Sequence, residues 1–117
     1  MPLSDFTEPG TLNLRIVCGD SFTKTLTVQE SDGTAINLTG ITGRAELRKR
    51  FGGALIQAFT VAIPTPTNGQ VTFSLTATET RGLVDGVWDI ELDGGISNRH
   101  TILQGTVTVL PDVTVTP

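Results

Sequence analysis

Few side chains in this 117-residue chain can do chemistry, and their spacing decides how each is read. His100 is the only histidine and Cys18 the only cysteine. A hydrolytic triad or a histidine-rich metal site would need partners around His100. Its neighbours Arg99, Thr101 and the Gly94-Gly95 turn supply none, so it reads as a surface histidine on a strand. A reactive thiol needs a nearby cation or helix N-terminus to lower its pKa. Only Arg15 is close to Cys18 in sequence, which leaves a small buried residue. One cysteine also excludes an internal disulfide and a zinc site built from cysteines.

Asp89, Glu91 and Asp93 are spaced by two and fall on one face of a strand. Carboxylates so placed could work as acid and base or hold a hard cation. Alternation alone already demands polar residues there, so a polar outer face is the expectation. Arg44 and Arg48 could pair with them if the two strands are neighbours, for about 0.2–1 kcal/mol each at an exposed site. The Gly-rich stretches lack the spacing of a phosphate-binding loop or a dinucleotide fingerprint. The expectation is no catalytic residue, no cofactor and no metal.

The run Arg48-Lys49-Arg50 precedes Phe51-Gly52-Gly53. Its cations read as a solvated loop able to touch phosphates or an acidic protein surface. An aromatic in a Gly-rich loop is hard to bury within its own domain, and such residues often anchor interfaces. Leu3 and Phe6, near the N-terminus, raise the same expectation. The interface candidates are therefore Leu3, Phe6, Arg48, Arg50 and Phe51.

The elements that must position these residues read as strands. Residues 1–11 hold Pro2, Pro9 and Gly10 with little alternation and read as an extended arm. Period-2 alternation starts at Leu12, Leu14 and Ile16, and resumes after Gly19-Asp20 with Phe22, Lys24, Leu26 and Val28 against threonines. Ser31-Asp32-Gly33-Thr34 is a hairpin turn signal, and Asn68-Gly69 is another turn. Between them lie a short apolar link at 36–40, a strand from Thr42 to Lys49, and a patterned stretch with Leu55, Phe59, Val61 and Ile63 that stops at Pro64 and Pro66. Val71, Phe73 and Leu75 form the next strand. Thr76 with Glu79 fits a capping box on a single helical turn. Trp88, Ile90 and Leu92 alternate against the three carboxylates. The last strand spans about Arg99 to Leu110, with a bulge or close approach expected at Gly105. Residues 12–110 thus read as one all-β domain, an antiparallel immunoglobulin-like β-sandwich of about seven strands, with an N-terminal arm at 1–11 and a tail at 111–117.

Bulk composition agrees. Hydrophobic residues make up 38 % and charged residues 17 %, too apolar for disorder. No run approaches the roughly 20 apolar residues of a membrane span, and the N-terminus lacks the pattern of a signal peptide. The formal net charge of −4 speaks against nucleic acid as a partner. The expectation is a cytoplasmically made protein that binds neither membrane nor nucleic acid.

The order of the pieces carries a resemblance. Gly19-Asp20-Ser21-Phe22 is followed by Ser31-Asp32-Gly33-Thr34, Leu38-Thr39-Gly40 and Ala45-Glu46-Leu47-Arg48. Then come Asn68-Gly69-Gln70-Val71-Thr72-Phe73-Ser74-Leu75-Thr76, Gly86-Val87-Trp88-Asp89-Ile90-Glu91-Leu92 and Gln104-Gly105-Thr106-Val107-Thr108-Val109. Over about residues 12–114 this resembles small phage and prophage proteins similar to the N-terminal domain of phage baseplate upper proteins. The resemblance implies a β-sandwich without catalytic residues, located in the virion and binding other phage structural proteins within a homo-oligomer or other symmetric assembly. It implies a non-catalytic adaptor that mounts or stabilises tail, baseplate or fibre subunits. The alternatives are a capsid decoration (cement) protein bridging head subunits and, from another class, a bacterial carbohydrate-binding or adhesion module.

Overall fold

A computed structural model describes residues 10–30, 32–95 and 99–111. Nine strand segments build two sheets. They are β1 (Gly10–Thr11), β2 (Leu14–Val17), β3 (Phe22–Thr27), β4 (Thr42–Arg48), β5 (Leu55–Ala58), β6 (Thr60–Ala62), β7 (Gln70–Leu75), β8 (Gly86–Asp93) and β9 (Arg99–Leu110). One helical turn, α1 (Ala77–Thr80), joins β7 to β8. The larger sheet has the order β1-β9-β8-β4-β5, with β2 also on β9; the smaller is β3-β7-β6. Two pairs of segments are single strands interrupted, β1 with β2 and β5 with β6, so the expected seven strands are present. The architecture is an all-β immunoglobulin-like sandwich.

The structure differs from the sequence reading in three details. Gly10 and Thr11, placed in the arm by the sequence reading, pair with Leu103 and Gln104. Both β1 and β2 run parallel to β9, the only parallel pairings among the described residues. The stretch from Leu55 to Ala62 changes sheets, with β5 on β4 and β6 on β7. Phe59 sits between the two halves with its ring buried, and its N–H still donates to the Ala45 carbonyl at 2.9 Å. A ring that must enter the core at that point bends the strand from one sheet to the other.

The core lies between the sheets because alternation points one side of each strand inward. Ala45 and Leu47 from β4, Trp88, Ile90 and Leu92 from β8, and Val107 from β9 meet Val71, Phe73 and Leu75 from β7. Trp88 stacks on Phe73 across the gap, with ring centroids 4.9 Å apart and planes 20° apart, and Phe59 meets Phe73 edge-on at 5.5 Å. Ile36 and Leu38, in the link between β3 and β4, are fully buried and plug one end. Both turn signals hold: Gly33 takes a φ of 90°, and Gly69, at 69°, caps a single 3-10 turn over Pro66–Asn68.

The capping box at α1 is complete. Glu79 N–H donates to Thr76 Oγ1 at 3.1 Å, and Thr76 N–H donates to Glu79 Oε1 at 2.8 Å. Thr80, the one buried polar residue of the described core, ties this turn to the loop between β2 and β3. Its hydroxyl donates to the Asp20 carbonyl at 2.8 Å and accepts from Gly19 N–H at 3.0 Å.

Candidate interaction surface

The outer face of the larger sheet carries most of the charged candidates. On β4 it presents Arg44, Glu46 and Arg48; on β8, Val87, Asp89, Glu91 and Asp93; on β9, Arg99, Thr101 and Gln104. The two strands expected to be neighbours are neighbours: Arg44 lies opposite Glu91, Glu46 opposite Asp89, and Arg48 opposite Val87.

The expected ion pairs across those strands do not form. Both arginines turn to a carboxylate on their own strand instead. Arg48 Nη2 lies 2.8 Å from Glu46 Oε1, and Arg44 Nη2 lies 3.5 Å from Glu46 Oε2. Asp93 and Glu91 share Arg99, at 3.0 and 3.5 Å. Asp89 is left without a hydrogen bond or ion pair among the described residues, facing Glu46 across the strand pair. Burial, then the charges of Glu91 and Glu46, push its carboxyl above the ordinary value, against the opposing pull of Arg48. At Asp93 the balance is reversed. The Gly95 N–H and the Arg99 guanidinium hold its carboxyl below the ordinary value.

Arg48 has a second task. Its Nη1 donates to the Gly53 carbonyl at 2.8 Å, across the loop from β4 to β5. Lys49 N–H to Ala54 O at 3.1 Å and Gly53 N–H to Arg50 O at 2.8 Å close that loop. The loop is therefore braced, and it holds Phe51 out over the sheet with 55 % of its surface exposed. Arg50 and Lys49 are exposed beside it. Phe51 and Gly52 line a recess of about 190 Å³ together with Arg44, Glu46, Arg48, Val87, Asp89 and Glu91. Leu55 is 51 % exposed and lies opposite Arg48 on the same face.

Of the sequence candidates, the structure gathers Arg48 and Phe51 at one place, with Arg50 at its edge. Leu3 and Phe6 lie outside the described residues. Asp89 and Leu55 also lie on this face and were not among the sequence candidates. Period-2 patterning marks Asp89 as outward, but only the register shows that its opposite number is Glu46 and not an arginine. Leu55 shares the period-2 pattern of Phe59, whose ring is in the core. A bulge between Leu47 and Arg48 reverses its side.

His100 corrects the sequence reading. It lies opposite Leu92, a core residue, and its ring Nε2 is shielded from solvent with no hydrogen-bond partner among the described residues. A bulge between Ile90 and Glu91 shifts the register of β9 and turns that position inward. Cys18 is half-buried, its thiol 3.4 Å from the Arg81 carbonyl. No group of three or more metal-ligating side chains forms among the described residues, and none of their helices is long and apolar enough to cross a membrane.

No family model and no curated protein matches this chain. Among solved structures it is similar to the N-terminal domain of phage TP901-1 ORF48, with a TM-score of 0.54 and 13 % identity over 89 % of this chain and 91 % of that one. It is also similar to Tim-1, with a TM-score of 0.49 and 12 % identity over 93 % and 100 % of the two chains. A third is a chain of the ZIG-8–RIG-5 IG1–IG1 heterodimer, with a TM-score of 0.46 and 14 % identity over 89 % and 86 %. At 13 % identity the likeness to the phage domain is one of fold, and the fold it shares with this chain is the two-sheet sandwich described above.

Proposed function

We propose that this chain is a non-catalytic structural module of a bacteriophage virion, one that mounts or stabilises neighbouring subunits of the tail, baseplate or fibre apparatus. The observation that carries the protein-binding part is Phe51, an aromatic held out of its own core by a braced hairpin. Leaving a large apolar side chain in water forgoes roughly 1.5–3 kcal/mol of burial, which a partner surface recovers. Because the loop is already closed by its own hydrogen bonds, little further ordering is needed on binding. The virion part is supported by the order of turns and strands that resembles phage baseplate modules, and by the fold likeness to the phage TP901-1 ORF48 domain.

The test is copy number in purified particles, by quantitative mass spectrometry against the major capsid protein. A few to a few dozen copies per particle is the expected result. A count comparable to the capsid protein moves the protein to the head, as a decoration subunit. Absence from particles overturns both virion readings and leaves a protein-binding or adhesion module, for which the same exposed face serves.

A further inference from the structure

We propose that the outer face of the larger sheet, at the recess between Phe51 and Asp89, docks an arginine side chain presented by a partner protein. The proposal rests on the reading of this chain as a protein-binding module and names the chemistry of its partner.

Charge on the face is out of balance at one point. Glu46 accepts from both Arg44 and Arg48, and Arg99 serves Asp93 and Glu91. Among the described residues Asp89 has no hydrogen bond or ion pair, and it stands opposite Glu46. Like charges directly opposite in an antiparallel pair are destabilising. A sequence that breaks a local rule at a half-buried position on an outer sheet face is most simply explained by a group that arrives from outside.

The shape of the recess suits a planar cation. The recess lined by Phe51 has a volume of about 190 Å³ and opens to solvent. Phe51 and Asp89 both line it, as do Glu46 and Glu91 and the two arginines, Arg44 and Arg48, that Glu46 holds, so its carboxylates outnumber its cations by one. A guanidinium stacks on an aromatic face, hydrogen-bonds a carboxylate through two N–H groups, and sheds water more readily than an ammonium does. The exposed Leu55 on the same face offers contact to an aliphatic stem. A second copy of the chain is the poorer occupant. It brings a net charge of −4 and the same uncompensated carboxylate on this face.

The experiment is an NMR titration of the full ¹⁵N-labelled chain at pH 7 with N-acetyl-arginine amide, run beside the uncharged isostere N-acetyl-citrulline amide. The expected result is saturable amide shifts confined to Phe51, Gly52 and Val87–Glu91, with arginine only, and a dissociation constant in the millimolar range. D89N weakens it roughly tenfold and F51A abolishes saturation, while the rest of each spectrum stays that of the folded protein. Equal shifts with citrulline, shifts scattered over the surface, or wild-type affinity in D89N overturn the proposal. None of these outcomes depends on whether the protein is found in particles, so failure here and failure of the virion reading are separable.

Discussion

Trp88 donates its indole N–H to the backbone carbonyl of Leu12 at 2.7 Å, which ties the centre of β8 to the point where the first strand breaks between β1 and β2. The chain at Leu12 passes directly over Gly105: a Cβ built on Gly105 would collide with the same carbonyl oxygen and lie 2.9 Å from Asn13 Oδ1. Asn13 Oδ1 in turn accepts the Thr106 N–H at 3.0 Å. One glycine, one tryptophan and one asparagine thus fix how the first strand crosses the last.

Two substitutions test that crossing. W88F keeps a six-membered ring in the core but leaves the partly buried Leu12 carbonyl without its donor, and should cost about 1–3 kcal/mol. G105A forces backbone apart and should cost a similar ~1–3 kcal/mol. Urea denaturation checks both: the midpoint falls while the slope of the transition is unchanged. An unaltered midpoint in G105A would show that the crossing is looser than described.

Thr80→Val is the second prediction. Valine fits the volume but cannot donate to Asp20 or accept from Gly19. Two backbone groups lose their partner, for an expected loss of about 1–3 kcal/mol. Hydrogen exchange should show the Gly19 amide accelerating beyond what global destabilisation explains. The Thr76→Ala change, on the exposed side of the same turn, removes only the cap and should cost about 0.5–2 kcal/mol.

Much of this framework is legible in the sequence. Asp32-Gly33 and Asn68-Gly69 announce their turns because a positive φ leaves few alternatives to glycine. Thr76 and Glu79 announce the helical turn through a spacing that only a cap explains. Trp88, Ile90 and Leu92 announce a core strand by alternation. What stays hidden depends on which strand lies beside which. The parallel pairing of Leu14 with Val107 joins residues from opposite ends of the chain, and no local pattern encodes it. The inward turn of His100 and the outward turn of Leu55 follow from bulges, where an extra residue reverses the parity that sequence reading relies on. The isolation of Asp89 is of the same kind, since it is a property of register.

The pH dependence of stability follows from three aspartates, one with its carboxyl raised and two with theirs lowered. Asp89 has its carboxyl raised, so its ionised form opposes folding; that cost is full at neutral pH and fades as pH falls through its folded pKa, which lies above 3.8. Asp93 and Asp32 have theirs lowered, so their contribution is present above about 3.8 and is lost as pH falls below that value through their folded pKa values. D89N should therefore be more stable than wild type at pH 7, with the difference shrinking as the medium becomes mildly acidic. Below pH ~3.8 both proteins should lose stability together. Thermal melts of the two proteins across this range check the sign. A D89N protein less stable than wild type at pH 7 would mean that Asp89 has a favourable partner.

Phe51 separates stability from binding most cleanly. Its side chain is mostly in solvent, and the hydrogen bonds that close its loop are made by Arg48, Lys49 and Gly53 and not by its ring. F51A should therefore change folding stability by no more than about 0.5 kcal/mol. If Phe51 anchors the contact to a neighbouring subunit, the same change should cost 2 kcal/mol or more of binding, roughly a thirtyfold loss of affinity. Particles grown with F51A should then contain far less of this protein, although the purified variant melts at the wild-type temperature. R48A is the informative companion. It leaves Glu46 with Arg44 alone and releases the Gly53 carbonyl, so it should loosen the loop and lower incorporation while Phe51 itself is intact. Normal incorporation of F51A would remove this face from consideration and move the search for the contact to the sheet edges.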